Sequence, residues 1–223
     1  MGKLYTVLQR ILYPVLPIKK TVYAEPVGDG PCIFLANHAG AMGPIYMSVT
    51  FPHREKADIW CNAGIMDEKE IVEYVRHDWW WRPESKLAPL YNVTVPYIAA
   101  AIVPKVMRSA PTIPVYHDAR AMSTMRATMK ALKKGKHIVI FPERPSGFDA
   151  HEEHLQMGWL NLVKLYKCAT GKDIRLVPVY IDQKEHIYRI GKSICVESDV
   201  PLEAQEARIE RAIATHIRGR QLD

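Results

Sequence analysis

The chain has 223 residues and a mass of 25.4 kDa, enough to bury one sizeable core. Hydrophobic residues make up 48% and charged residues 24%, which excludes a disordered or collagen-like chain. Lys and Arg number 30 against 24 Asp and Glu, and the resulting net charge of +6 suits a phosphate-bearing partner: nucleic acid, anionic lipid or a phosphorylated metabolite.

Residues 3–18 predict a first helix. Lys3, Thr6, Gln9 and Arg10 mark a narrow polar face, and Leu4, Val7, Leu8, Ile11, Leu12, Val15 and Leu16 cover the rest. So apolar a helix packs on the domain or lies in a membrane interface, and both can hold at once. Pro14 and Pro17 end it, and Lys19 and Lys20 follow where lipid phosphates would sit. No small-residue cleavage site follows, so a signal peptide is not expected. Segment 1–20 is therefore read as an amphipathic appendage to a domain over 21–223.

Short β-type runs then alternate with helical ones. Strands are expected at 32–36, 58–61, 112–116, 137–141 and 175–181, the last an edge strand or irregularly ended because of Pro178. Helices are expected at 44–50 with Pro44 opening, at 68–76, at 123–134 capped by Ser123, at 156–169, and at 203–218. Alternation of this kind implies an α/β fold, one domain with a β-sheet flanked by helices. The nearest approach to a membrane-spanning run, 93–106, is interrupted by Pro96, Pro104 and Lys105, so no spanning helix is expected. Cys32, Cys61, Cys168 and Cys195 are widely spaced, which argues against a disulfide scaffold or zinc ribbon and fits a reducing compartment.

Sites in such sheets gather on loops leaving the strand ends. Three loops are loaded with polar chemistry: Asn37-His38-Ala39-Gly40, His117-Asp118-Ala119-Arg120, and Pro142-Glu143-Arg144-Pro145-Ser146-Gly147. If their strands are neighbours, one pocket holds His38, His117, Arg120, Glu143 and Arg144: a base, several cations and a carboxylate. His151-Glu152-Glu153-His154 lacks the zinc-protease spacing and reads as a surface turn, with no metal expected. Trp79-Trp80-Trp81 suits core and interface aromatics, or a headgroup layer. Lys130, Lys133, Lys134 and Lys136 read as a solvated helix end, or as a contact for anionic lipid or a carrier protein. No helix is densely basic and no nucleic-acid motif occurs, so nucleic acid is not an expected partner.

Four blocks in order resemble the glycerolipid acyltransferases of the lysophosphatidic acid acyltransferase type. They are Asn37-His38, Ile113-Pro114-Val115-Tyr116-His117, Phe141-Pro142-Glu143-Arg144-Pro145-Ser146 and Val177-Pro178-Val179, with Gly158 between the last two. Asn37, His38, Phe141, Pro142 and Glu143 match the family residue by residue. The family's motif Asp, five residues after the His, is Gly43 here; His117 stands for the family Arg; and Arg144-Pro145-Ser146 replaces Gly-Thr-Arg.

The resemblance implies a glycerol-phosphate acyltransferase-like fold with a mixed sheet, in phospholipid biosynthesis. It implies acyl transfer from acyl-CoA or an acyl carrier protein to a hydroxyl of lysophosphatidic acid or a related phosphorylated acceptor, without a cofactor. His38 would be the base. Asn37, His117, Arg120, Glu143 and Arg144 would bind substrate or shape its pocket. The protein would sit peripherally on the cytoplasmic face of the cell membrane. The loss of the motif Asp leaves Asp58, Asp118, Glu143 or a backbone carbonyl to orient His38. The alternative is a catalytically degenerate lipid-binding relative.

Overall fold

Cys32–Ala36 and His137–Ile140 turn no side chain to solvent, and runs buried on both faces belong in the middle of a parallel sheet. The structure, a computed structural model, describes residues 2–40, 42–77, 85–143, 155–197 and 200–219. Its strands are β1 (Lys20–Tyr23), β2 (Cys32–Ala36), β3 (Ala57–Asn62), β4 (Thr112–Val115), β5 (His137–Ile140), β6 (Arg175–Asp182) and β7 (Ile187–Ile190). Its helices are α1 (Lys3–Val15), α2 (Met42–Val49), α3 (Glu70–His77), α4 (Ala88–Ser109), α5 (Ala121–Lys133), α6 (Asn161–Thr170) and α7 (Leu202–Ile217). The strands form one sheet in the order β1-β7-β6-β2-β5-β3-β4. The five from β6 to β4 run parallel, while β7 is antiparallel to β6 and parallel to β1. The chain is thus one α/β domain on a mixed sheet.

Side chains alternate across the sheet and define two cores. Ile33, Leu35, Ile138, Ile140 and Leu176 point to one face, covered by Leu132 of α5, Leu162 and Tyr166 of α6, and Ile209 and Ile213 of α7. Phe34, Ala36, Val139, Val177 and Val179 point to the other, covered by Leu16 at the end of α1 and by Tyr46 and Met47 of α2. A smaller core joins α3 to α4 through Ile71, Val75 and Ala99. The parallel strands all end on one edge, so residues 37, 63, 116, 141 and 183 emerge on the same side of the molecule.

Some expectations fail for physical reasons. Pro178 does not mark an edge: β6 is flanked by β2 and β7. The β7 ladder starts only at Val179, and the Pro178 carbonyl accepts the Gly191 N–H at 2.9 Å, so the missing donor falls where the neighbour pulls away. Ser123 is not a cap; α5 starts at Ala121, and the Ser123 hydroxyl donates to the Arg120 carbonyl at 2.6 Å. Pro44 is the third residue of α2 rather than its first. The largest departure is α4, whose 22 residues contain both Pro96 and Pro104. Its length and composition are those of a membrane-crossing helix, against the expectation of none. Prolines disfavour a helix interior, but both are buried, and packing of α4 on α3 outweighs local propensity. Trp79, Trp80, Trp81, Arg144 and the stretch His151-Glu152-Glu153-His154 lie outside the described residues.

At the opposite edge of the sheet, His137 is 7% exposed and accepts hydrogen bonds through Nδ1 from the Cys32 backbone N–H at 3.3 Å and from the Cys32 thiol at 3.2 Å. His53 meets it edge-on, with ring centroids 5.6 Å apart. Burial first, then the neighbouring His53, Lys56 and Arg175, push the His137 imidazole down to about 4. The unfolded chain protonates this residue near the ordinary value of about 6.5, so stability is full above that and falls as pH drops toward 4. The expected loss is at most about 3 kcal/mol. Urea midpoints measured across this window should fall less steeply for His137→Asn, whose side-chain oxygen can still accept from Cys32. An equally steep fall in the variant would assign the acid sensitivity to another group.

Candidate functional site

The site begins where β2 stops. Asn37 is 8% exposed, and its side chain acts as one more peptide unit in the sheet. Its Oδ1 accepts the Ile181 N–H at 2.7 Å, and its Nδ2 donates to the Ile181 carbonyl at 3.4 Å. A carboxamide presents both a donor and an acceptor, so Asn can extend the β2–β6 ladder past Ala36. The structure therefore shows Asn37 holding strand backbone.

The next residues make a tight reversal. Ala39 and Gly40 both take left-handed backbone conformations, with φ of 47° and 61°. Ala39 pays about 1–2 kcal/mol for this, and its carbonyl is held by the Gln183 side chain at 3.3 Å. The reversal carries the Gly40 carbonyl back to the His38 ring, 2.7 Å from Nδ1. A carbonyl only accepts, so the proton is assigned to Nδ1 and the basic lone pair to Nε2.

The chain then enters α2 with the Gly43 N–H donating to the His38 carbonyl at 3.0 Å. A β-carbon at Gly43 would overlap that oxygen outright and come within 3.1 Å of the Asn37 carbonyl oxygen. Glycine is required here by close approach of two backbones. The position that carries Asp in the acyltransferase motif has no room for any side chain in this fold.

From the adjacent strand β5, Glu143 reaches across, and its carboxylate accepts the backbone N–H of His38. The Phe141 ring lies beside the imidazole, with centroids 5.2 Å apart. His38 is thus held at three points: its N–H by Glu143, its carbonyl by Gly43 and its ring by Gly40. The other carboxylates weighed for orienting it are engaged elsewhere. Asp58 pairs with Lys136 at 2.7 Å, and Asp118 pairs with Arg120 at 2.7 Å.

The sequence reading puts His117 and Arg120 in the same pocket on the condition that their strands are neighbours. The sheet order meets that condition for β2 and β5 only. Two strands, β5 and β3, separate β4 from β2, a spacing of about 14 Å. Arg120 is taken up locally: it grips Asp118 through Nε and Nη2, and its guanidinium lies over the Tyr116 ring at 4.3 Å. That pairing pulls the Asp118 carboxyl down to about 2. His117 is exposed and lines a polar recess with Gln156, Glu206 and Glu210. Arg144 lies outside the described residues.

Two contributors escape the sequence reading: the Gly40 carbonyl and the steric demand at Gly43. The visible signal is two glycines spaced three apart just after a histidine. It shows that the backbone turns tightly, but not which carbonyl meets the ring.

Chemically, this is a histidine whose tautomer is fixed by an uncharged acceptor, which leaves the lone pair on Nε2. A carboxylate in that place also stabilises the imidazolium, and losing it costs about 10⁴ in rate in the serine-protease triad, where the tautomer goes wrong as well. Here the tautomer is kept, and the nearby charge comes from Glu143, bonded to the same residue's backbone. Crowding at Gly43 predicts that Gly43→Ala lowers stability by about 2 kcal/mol and the thermal midpoint by about 4–8 °C. Gly43→Asp should do at least as much damage. An unchanged calorimetric midpoint in either variant would show that the reversal has slack.

No family model, curated protein or solved structure matches the chain.

Proposed function

We propose that the protein is an acyltransferase working at a membrane surface, with His38 as the general base and a phosphorylated, hydroxyl-bearing lipid precursor such as lysophosphatidic acid as acceptor. The observation that carries this reading is the imidazole held at the C-terminal edge of β2 with Nδ1 on the Gly40 carbonyl. It is supported by the order of the Asn-His, Phe-Pro-Glu and Val-Pro-Val blocks, which fall just after β2, just after β5 and on β6, three adjacent strands. In this reading the fold is of the glycerol-phosphate acyltransferase kind.

The chemistry asks for no covalent enzyme intermediate. His38 Nε2 takes the proton of the acceptor hydroxyl as its oxygen attacks the thioester carbonyl carbon. A C–O bond forms, the C–S bond breaks as the tetrahedral adduct collapses, and the proton passes from the imidazolium to the departing thiolate. Glu143 positions His38 through its N–H and opposes the imidazolium's charge. Acyl-CoA or an acyl carrier protein supplies the thioester. The acceptor phosphate is assigned to Arg144, next to Glu143 in the sequence, because Arg120 is held by Asp118 on a loop away from His38.

The membrane part of the reading rests on where the apolar side chains lie. Helix α1 turns Tyr5, Gln9, Leu12 and Leu16 inward, and the Tyr5 hydroxyl and Gln9 amide both donate to the Ser48 carbonyl, at 2.6 and 3.0 Å. Its outward stripe is Leu4, Val7, Ile11 and Val15, the last 74% exposed. Helix α4 also exposes Leu90, Val93, Tyr97, Ile98 and Ile102, each by more than half. The two helices meet where the Gly2 N–H donates to the Ser109 carbonyl at 2.8 Å. Exposed apolar side chains on two helices that also carry the exposed Lys3, Arg10, Lys105 and Arg108 suit an anionic bilayer. With α3 packed along one side, α4 would lie along the surface.

Thiol release from a panel of acyl-CoAs, with and without lysophosphatidic acid, tests the chemistry. Acceptor-dependent release should fall at least about 100-fold in His38→Ala and by a smaller factor in Glu143→Gln, with folding retained in both. Absence of turnover in folded wild type that still binds vesicles would favour the non-catalytic lipid-binding relative. Vesicle sedimentation tests the surface: Val93→Asp with Ile98→Asp should weaken binding to mixed phosphatidylcholine and phosphatidylglycerol by about 10-fold or more. Unchanged sedimentation would remove α4 from the membrane face.

A further inference from the structure

On the other face of the sheet, α5 and α6 enclose a shallow groove of about 500 Å³. Met122, Met125 and Met129 of α5 and Leu165 of α6 form its walls, with Arg126, Lys130, Lys133 and Lys134 along one side. Met125 and Met129 rest partly on the core, whereas Met122 is 60% and Leu165 42% exposed. The spacing sorts these residues into two rows on one helix. Methionines at i, i+3 and i+7 run beside cations at i, i+4, i+7 and i+8. None of the four cations has a carboxylate partner among the described residues.

A ligand complementary to this surface needs an apolar stripe beside an acidic one, at helical pitch. Methionine suits such a contact because its unbranched, polarizable side chain remoulds to the occupant. The groove is concave and lies on the sheet face opposite α1 and α2. A bilayer that receives the exposed stripe of α1 cannot reach it. We propose that the α5–α6 groove docks an acidic amphipathic helix of a partner protein. The mode is helix-in-groove, with affinity from the methionine row and orientation from the cation row. Identifying that partner as the protein carrier of the acyl thioester rests on the acyl-transfer reading; the groove and its complement do not.

The probe is fluorescently labelled acyl carrier protein in its holo form, titrated with the full chain and followed by anisotropy. Wild type should bind, and more weakly as salt rises. The triple variant Lys130→Glu/Lys133→Glu/Lys134→Glu should lose at least about 10-fold in affinity, and so should Met122→Asp. All four side chains are exposed, so circular dichroism and the thermal midpoint should stay at wild-type values. Thiol release with acyl carrier protein and with acyl-CoA as donor separates the two ideas. Turnover of the carrier-linked donor should drop in the triple variant while acyl-CoA turnover holds. Carrier binding that the variants abolish, with neither thioester turned over, would uphold the docking surface and sink the acyl-transfer reading. Acyl-CoA turnover with no carrier binding, or carrier binding indifferent to the variants, would overturn the docking surface. Charge reversal that lowers sedimentation with phosphatidylcholine–phosphatidylglycerol vesicles but leaves the carrier untouched would overturn it too, making this face a lipid contact.

Discussion

The chain turns back on itself between Asn37 and Gly43 so closely that a single β-carbon would not fit. The Gly43 N–H meets the His38 carbonyl at 3.0 Å, and everything else in the site follows from that approach. It brings the start of α2 against the end of β2, and it forces Ala39 and Gly40 into left-handed conformations. The Gly40 carbonyl then faces the His38 ring. Strain of this kind persists only where the surroundings over-determine it. Here Ile181 and Gln183 at the end of β6 and Glu143 after β5 supply the restraint. A site built this way needs no carboxylate on α2, because the backbone itself orients the imidazole.

The two faces of the sheet are dressed differently, and the difference is a matter of which stripe of each helix is turned in. Helix α1 satisfies Tyr5 and Gln9 against the domain and leaves its most regular aliphatic stripe outside. A helix that meets only water keeps its aliphatic residues inside, whereas α1 leaves Leu4, Val7, Ile11 and Val15 exposed. Helix α4 likewise exposes large apolar residues between Leu90 and Ile102. On the opposite face α5 presents its methionines with a bordering row of cations. Both surfaces are apolar and basic, but the first lies on the outward sides of α1 and α4 and the second is a groove between α5 and α6. Shape, more than composition, distinguishes the two surfaces.

Much of the fold was legible in the sequence because buried strands and capped helices carry local signals. The run at 32–36 reads as a strand from its composition, α6 ends at Gly171 in the left-handed conformation its sequence suggests, and α7 shows its inward Ile209, Ile213 and Ile217 by spacing alone. What escaped has little local signal. Strands β1 and β7 are four residues long, and Ile187–Ile190 is a strand because β6 lies beside it. Helix α4 carries two prolines that argue against it locally, and α3 packing overrules them.

The sequence by itself determined the alternation of strands and helices, the pairing of Asn37 with His38 at a strand end, and the placing of Glu143 at another. These depend on side-chain type and on periods of two and of 3.6, which a linear chain displays. Only the tertiary structure decided which of the polar loops meet. Strand order is not written locally: β5 inserts between β2 and β3, which joins Glu143 to His38 and leaves two strands between His38 and the His117–Arg120 loop. Nor is a backbone carbonyl's direction legible in a residue's name, since every residue carries the same one. The group that orients His38 belongs to the peptide chain, so its identity emerged only when the reversal at Ala39 and Gly40 was built in space.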